Sequence, residues 1–437
     1  MTTAEQQAAP NRFVLSEDEV PTHWYNLVVD LPYDIEPHLH SKEDRPALEE
    51  DYDWLWPTEC LRIELLKGRY ATDSWIEVPE RVHSTYTRYR PSTLVRAKGL
   101  EQYLDSSDRI FYKREDLNPG GSHKFNTALA QAYYAAQDGV ETLVTDTGAG
   151  QWGTALALAC AAFGLKLKVF MVRKSFDEKP YRRNLMRMLG AEVISSPSET
   201  TDAGRGVLAN APDSPGSLGI GMAEAIELVR DNPSHRLALG CMSYYAAMHQ
   251  TVIGLETQAQ LAKAGVGADV LVGCVGGGSN FTGFVAPFVT GSEKPLCIAA
   301  EPATVPTLTK GEFRYDWADS ERQTPRIPMY TLGSDFVPPP IHSGGLRYHG
   351  KTPILSSLVK HGLVTPRSFD QQEVFEAGQL FLRTEGVLPA PESSHAILAA
   401  IEEARRGTSG APRNIVICLS GHGYLDLQGY ADVLGLL

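Results

Sequence analysis

Lys124 follows two glycines and a serine in "NPGGSHKFNTALAQA", where an alanine-rich helical pattern begins. A cation at a helix N-terminus faces the positive end of the helix dipole. Two chemistries are open to Lys124: a phosphate-contacting or solvated ammonium, or a neutral, imine-forming amine, which that position tolerates better. His123 beside it is either a helix-capping or surface histidine or a phosphate contact. In "VGGGSNFTG" an apolar strand runs into Gly276, Gly277 and Gly278, and Ser279 and Asn280 follow at a helix start. Backbone N–H groups closing around an anion favour phosphate there. A tight turn without a ligand is the alternative, and the spacing is not that of a dinucleotide fingerprint. A third stretch, "LVTDTGAGQWG", is a strand that stops in glycine and restarts as a helix. Its N–H groups suit a small carboxylate or phosphate, and Asp146 adds one carboxylate of its own. "CLSGHGYLDL" sets Ser420 at the end of an apolar strand, as a cleft-facing hydroxyl or a turn serine. Glu385 and Glu392 lie in "RTEGVLPAPESSHA", and Glu392 alone reads as a helix-start acid.

These loops need a frame. From about residue 108, β-branched runs such as "LVTDTG", "LKVFMVR" and "AEVISS" alternate with helical patterns. That alternation predicts βαβ units and a parallel sheet. A second series follows, from the helical "MHQTVIGLETQAQLAKAG" through "DVLVGCVGGGSN" and "CIAAEP" to "NIVICLSGHG". Residues 1–95 read as an irregular wrapping arm, 96–250 as a smaller α/β lobe with Lys124, and 251–437 as a larger α/β lobe. Residues 303–350, rich in Pro and Gly, read as a long functional loop. Two open α/β lobes place a ligand cleft between them, at the carboxyl ends of strands.

The 437 residues exceed what one core usually holds. A formal net charge of −13 argues against nucleic acid and acidic membranes as partners. The polar, acidic start has no apolar signal core, so a cytoplasmic protein is expected. Cys60, Cys160, Cys241, Cys274, Cys297 and Cys418 form no CxxC pair, which predicts reduced, buried thiols and neither zinc nor disulfides.

Nine stretches extend these single readings: "GSHKFNTA", "TGAGQWG", "KPYRRNLMRMLGAEV", "HQTVIGLE", "GCVGGGSNF", "KGEFRYD", "DFVPPPIHSGGLRYHG", "EGVLPAPESSHA" and "LSGHG". Their order resembles that of tryptophan synthase β chains, most closely the less common second branch with its long N-terminal arm and "GGLRYHG" segment. The resemblance runs from about residue 20 to the C-terminus. It implies the fold type II pyridoxal-phosphate architecture, two open α/β lobes with the cofactor between them. By motif, Lys124 resembles the lysine that carries the cofactor and moves the substrate Cα proton. His123, Gly276, Gly277, Gly278, Ser279 and Asn280 resemble the phosphate cradle. Asn126 resembles the asparagine near the pyridine 3-oxygen, and Ser420 the partner of the pyridine nitrogen. Glu392 joins this cofactor set. Thr147, Gly148, Ala149, Gly150 and Gln151 resemble the loop for the substrate α-carboxylate, with Trp152 next to it. Arg347 resembles the arginine this branch has where the commoner branch places an aspartate. A neutral serine at the pyridine nitrogen makes the ring a milder electron sink, which suits loss of a β-substituent.

The implied reaction converts L-serine and indole to L-tryptophan and water. A homodimer without a stably bound α chain, and a monovalent cation (K+ or Na+) near 303–350, are further implications. Asp146 departs from the family, which usually has glutamate there. The shorter side chain loses roughly 1.5 Å of reach, and an error near 1 Å in a catalytic group can cost on the order of 100-fold. "LGCMSYYAAMHQT" likewise replaces the usual "LGSVLNHVLLHQT", and Phe125 stands where an aliphatic residue is usual. These changes leave open a specialised synthase acting on a substituted indole, another nucleophile or O-phosphoserine, or a serine/threonine deaminase.

Overall fold

The computed structural model describes residues 10–407 and 410–436. Among these, two sheets carry the architecture. One has four parallel strands, in the spatial order Glu192–Ser196, Lys166–Val172, Thr142–Thr147, His235–Leu237. The other has seven, in the order Arg12–Phe13, Leu94–Arg96, Arg109–Arg114, Asn414–Leu419, Val270–Cys274, Leu296–Pro302, Thr365–Phe369. Its last five strands run parallel, and the two N-terminal ones add antiparallel. Thr142–Thr147 is buried along its whole length, as a central parallel strand covered on both faces must be.

Seven helices shape or brace the space between the sheets. They are α1 (Phe125–Gln137), α2 (Gln151–Phe163), α3 (Pro180–Met188), α4 (Leu218–Arg230), α5 (Thr251–Lys263), α6 (Ser279–Val289) and α7 (Pro391–Arg406). Alanine-rich α1 and α2 have high helix propensity. α2 and α6 each start at a glycine with positive φ, Gly150 (+91°) and Gly278 (+105°), a conformation that costs glycine little. α7 starts with Pro391 at its first position, where the missing N–H costs nothing.

The chain order of the lobes and their sheets do not coincide. Leu94–Arg96 straddles the boundary between the arm and the segment assigned to the smaller lobe, and Arg109–Arg114 lies within that segment, yet both pair in the larger sheet. The N-terminal region is also more regular than an irregular arm. Arg12–Phe13 extends the larger sheet, His23–Tyr25 pairs with Trp75–Glu77, and Trp24, Leu55, Trp56, Tyr70 and Tyr86 are buried against the core. Within 303–350, Glu312–Asp316 and Ile327–Thr331 form an antiparallel ribbon. Proline and glycine mask that ribbon in the sequence because they dominate its flanks. Among the described residues, no helix is long and apolar enough to cross a membrane, and no three His, Cys, Asp or Glu side chains cluster as metal ligands. All six cysteines are free; Cys241 is partly exposed and the other five are buried.

Candidate active site

Two adjoining cavities lie between the sheets. The first, of about 430 Å³, is lined by Ser122, His123, Lys124, Gly276, Gly277, Gly278, Ser279, Asn280, Glu392 and Ser420, among others. The second, of about 480 Å³, is lined by Asp146, Thr147, Gly148, Ala149, Trp152, Leu218, Met222, Leu239, Met242 and Tyr348, among others. Lys124, Gln151, Cys241 and Gly345 belong to both walls. Four loops far apart in sequence therefore converge, and Lys124 stands where their two cavities meet.

Each loop is built for close approach. A Cβ on Gly276 would collide with the carbonyl oxygen of Gly345, and one on Gly277 would sit 2.8 Å from the backbone nitrogen of Met242. The first N–H groups of α6 have no partner within the helix, so they are available to an anion at its start. The side chain of Asn280 is spent on bracing this turn: its Nδ2 donates to the Cys274 carbonyl (2.9 Å), and its Oδ1 accepts from the Cys418 thiol (3.1 Å). On the opposite wall the His123 backbone N–H donates to the Ser420 carbonyl (3.0 Å). Burial, helped by the charge of Lys124, holds the His123 imidazole down near pKa 3, so it is neutral at ordinary pH. The Ser420 hydroxyl pairs with that of Ser393 at 2.7 Å.

Glu392 does more than open a helix. Its Oε1 accepts from the Gly345 N–H (2.8 Å) and its Oε2 from the Gln151 amide (3.3 Å), tying three loops together at the first cavity. Trp152 is fixed by its indole N–H, which donates to the Thr145 hydroxyl at 2.7 Å, and its ring lies against Gly240. Asp146 is 6% exposed. Burial raises its carboxyl to about 7, against a smaller pull downward from its own backbone N–H and from Lys124.

Three expected residues are placed differently. Asn126 lines neither cavity. It is fully buried behind Lys124, accepting from Arg90 (3.0 Å) and Tyr89 (3.1 Å) and donating to Glu115 (3.2 Å) and Gln250 (3.0 Å). Arg347 also lines neither cavity, and its guanidinium donates to the Ser175 hydroxyl at 3.1 Å. Gly150 stays off both walls as the cap of α2. The motif reading passed over Ser122, Leu218, Met222, Leu239 and Tyr348, and marked Cys241 and Met242 as altered. Only the 241–245 segment gave a signal, through its unusual composition.

The pyridoxal-phosphate group can be tested against these walls. In the first cavity the Ser122 hydroxyl and His123 Nδ1 are buried with no hydrogen-bond partner, beside a glycine turn and a helix start. Unpartnered buried donors and acceptors are costly, and a phosphorylated ring with a phenolic oxygen offers them partners. The residues fit the group: Lys124 would carry it, the Gly276–Ser279 backbone and His123 would face its phosphate, and Ser420 would face its ring nitrogen.

The family described as pyridoxal-phosphate dependent enzyme matches residues 86–421. Tryptophan synthase beta chain 2 of Thermotoga maritima is 49% identical over 420 residues, 95% of this chain and 98% of that protein. Its namesake from Methanothermobacter thermautotrophicus is 49% identical over 430 residues, 97% and 99% respectively. Among solved structures, an L-serine ammonia-lyase from Rhizomucor miehei aligns with a TM-score of 0.60 at 15% identity, covering 79% of this chain and 98% of that one. A threonine deaminase from T.th. aligns with a TM-score of 0.57 at 20% identity, covering 78% and 96%. These two likenesses establish the fold type II architecture alone. Identity near one half along almost the whole chain goes further: the chain belongs to the tryptophan synthase β chain family of pyridoxal-phosphate dependent enzymes.

Proposed function

We propose that this protein catalyses β-replacement on L-serine with indole, releasing L-tryptophan and water, as a cytoplasmic enzyme. Its cofactor, pyridoxal phosphate, draws electron density from the substrate Cα, so that the Cα proton can leave and the β-substituent can be expelled. The observation that carries the reading is the position of Lys124 on the wall common to both cavities, with Asp146 in the second. From there the Lys124 amine takes the Cα proton and later returns it. The N–H groups around Thr147–Gln151 hold the α-carboxylate at the start of α2. Asp146, a buried acid with its pKa near 7, protonates the departing β-hydroxyl and then, as a carboxylate, accepts the indole N–H. Trp152, Leu218, Met222, Leu239 and Met242 give the nucleophile an apolar chamber and keep water from competing.

A substituted indole is the second reading. The short Asp146 side chain and the two methionines, which repack readily, support it. Arg347 offers no contact to a leaving phosphate in this conformation, because it lines neither cavity. The branch resemblance supports a homodimer acting without a stable α chain, which sedimentation of the purified protein tests. The decisive assay supplies pyridoxal phosphate, L-serine and indole and follows tryptophan and pyruvate together. Tryptophan is the expected product. Pyruvate without tryptophan overturns the indole reading, and an acceptor screen with substituted indoles follows. Asp146→Glu is expected to raise the tryptophan-to-pyruvate ratio severalfold; an unchanged ratio removes the case for a specialised nucleophile.

A further inference from the structure

Arg182 belongs to α3, the helix packed on the four-stranded sheet, yet its guanidinium reaches across the cleft. It donates from Nη1 and Nη2 to the two carboxylate oxygens of Asp426, at 2.8 and 2.6 Å. Asp426 follows the strand Asn414–Leu419 of the seven-stranded sheet, six residues beyond Ser420, and caps the C-terminal helix Leu427–Leu434. Lys179 adds a second cation to the same carboxylate at 2.7 Å. Arg182 is 3% exposed and Asp426 4%. Burial opposes ionisation of Asp426, but the two cations outweigh it and hold the carboxyl far below its ordinary range.

The stem of Arg182 meets the carboxylate loop. Gly150 has no side chain, and a Cβ there would lie 2.9 Å from Arg182 Cβ and 3.2 Å from its Cδ. Arg182 Nη1 stands 3.5 Å from the Ala149 carbonyl oxygen. Across the same loop, Gln151 donates to Glu392 of the other lobe. The turn Thr147–Gln151 is thus clamped between two contacts that both end on the seven-stranded side. Arg182 and Asp426 stand outside the walls of the two active-site cavities, away from the reacting groups.

We infer that Arg182, fixed by Asp426 from across the cleft, is a positioning residue that presses the Thr147–Gln151 turn into its anion-binding shape. The consequence for L-serine rests on the proposed function; the ordering of the turn does not.

The test uses the holoenzyme and the paired variant R182M/D426N, which removes both charges of the bidentate pair and leaves only the partly exposed Lys179 without the carboxylate it shared. R182K, which keeps the charge and the stem, serves as the conservative control. Hydrogen exchange of the Gly148–Gln151 amides is expected to speed up at least tenfold in the paired variant and to stay close to wild type in R182K. The L-serine dissociation constant, read from the cofactor absorbance, is expected to rise at least tenfold while the KM for indole changes less than twofold. A merely structural pair would lower Tm and leave these amides and the L-serine affinity untouched; a folded paired variant with both within twofold of wild type overturns the inference. Accelerated exchange in a protein whose wild type gives no response to L-serine supports the clamp and counts against the substrate.

Discussion

Burial lifts the Asp146 carboxyl to about 7, while its own backbone N–H and Lys124 pull it down only in part. In the unfolded chain the same group titrates near its ordinary 3.8. The folded form therefore binds an extra proton between these two values. Asp146 contributes stability below about pH 4, and the contribution disappears as pH rises through 7, a swing of roughly 4 kcal/mol at most. Urea titrations of the cofactor-free protein between pH 4 and 8 are expected to show that decline, and Asp146→Asn is expected to flatten it. A wild-type slope that survives in Asp146→Asn places the titrating group elsewhere. The kinetic counterpart has the same sign: hydroxide loss, followed as the spectral change that L-serine induces, slows above pH 7 because the proton donor is gone. The sequence made Asp146 conspicuous as a shortened acid. Its burial was not readable, since the walls that dry it come from Leu218, Met222 and Tyr348, far along the chain.

The glycine turns were the most legible elements, because a run of glycine between an apolar strand and a helix has few structural uses other than close approach. The reason differs from turn to turn. Gly278 and Gly150 need positive φ, whereas Gly276 needs room for the Gly345 carbonyl. Asn126 and Asn280 share one lesson: motif position fixes where a residue stands, and its partners decide what its side chain does. Asn126 is drawn into a buried network in which Arg90 bridges Glu115 and Glu256, and Lys113 adds 2.7 and 2.8 Å bonds to Glu256 and Gln260. That network joins the Arg109–Arg114 strand to α5 and, through Gln250, to the His123 carbonyl beside Lys124. Breaking one partner of such a buried set costs about 3–5 kcal/mol. Glu256→Gln keeps the shape and removes the charge, so chemical denaturation is expected to report a loss of that order. A loss below about 1 kcal/mol means the network tolerates an unpaired Arg90 or Lys113.

At the scale of the molecule, the alternation of strands and helices announced parallel sheets but not their membership. Asn414–Leu419 pairs with Arg109–Arg114 across about three hundred residues of chain, and no local pattern encodes a partner so distant. That pairing brings Ser420 to His123, and with it the last loop to Lys124. The first cavity is accordingly made of segments that meet only in the folded chain, so whatever fills it binds the native state alone. Linkage then fixes the size of the effect: a ligand at 100 times its dissociation constant stabilises by about 2.7 kcal/mol. Removing pyridoxal phosphate is expected to lower Tm, and returning it at that excess is expected to restore the difference. Inorganic phosphate is expected to recover only part of it, because it can occupy the Gly276–Ser279 turn while leaving Ser122 and Ser420 without a ring to face. Equal recovery by phosphate and by the cofactor would mean that the glycine turn supplies all the binding, and that the Lys124 and Ser420 walls contribute nothing to holding the group.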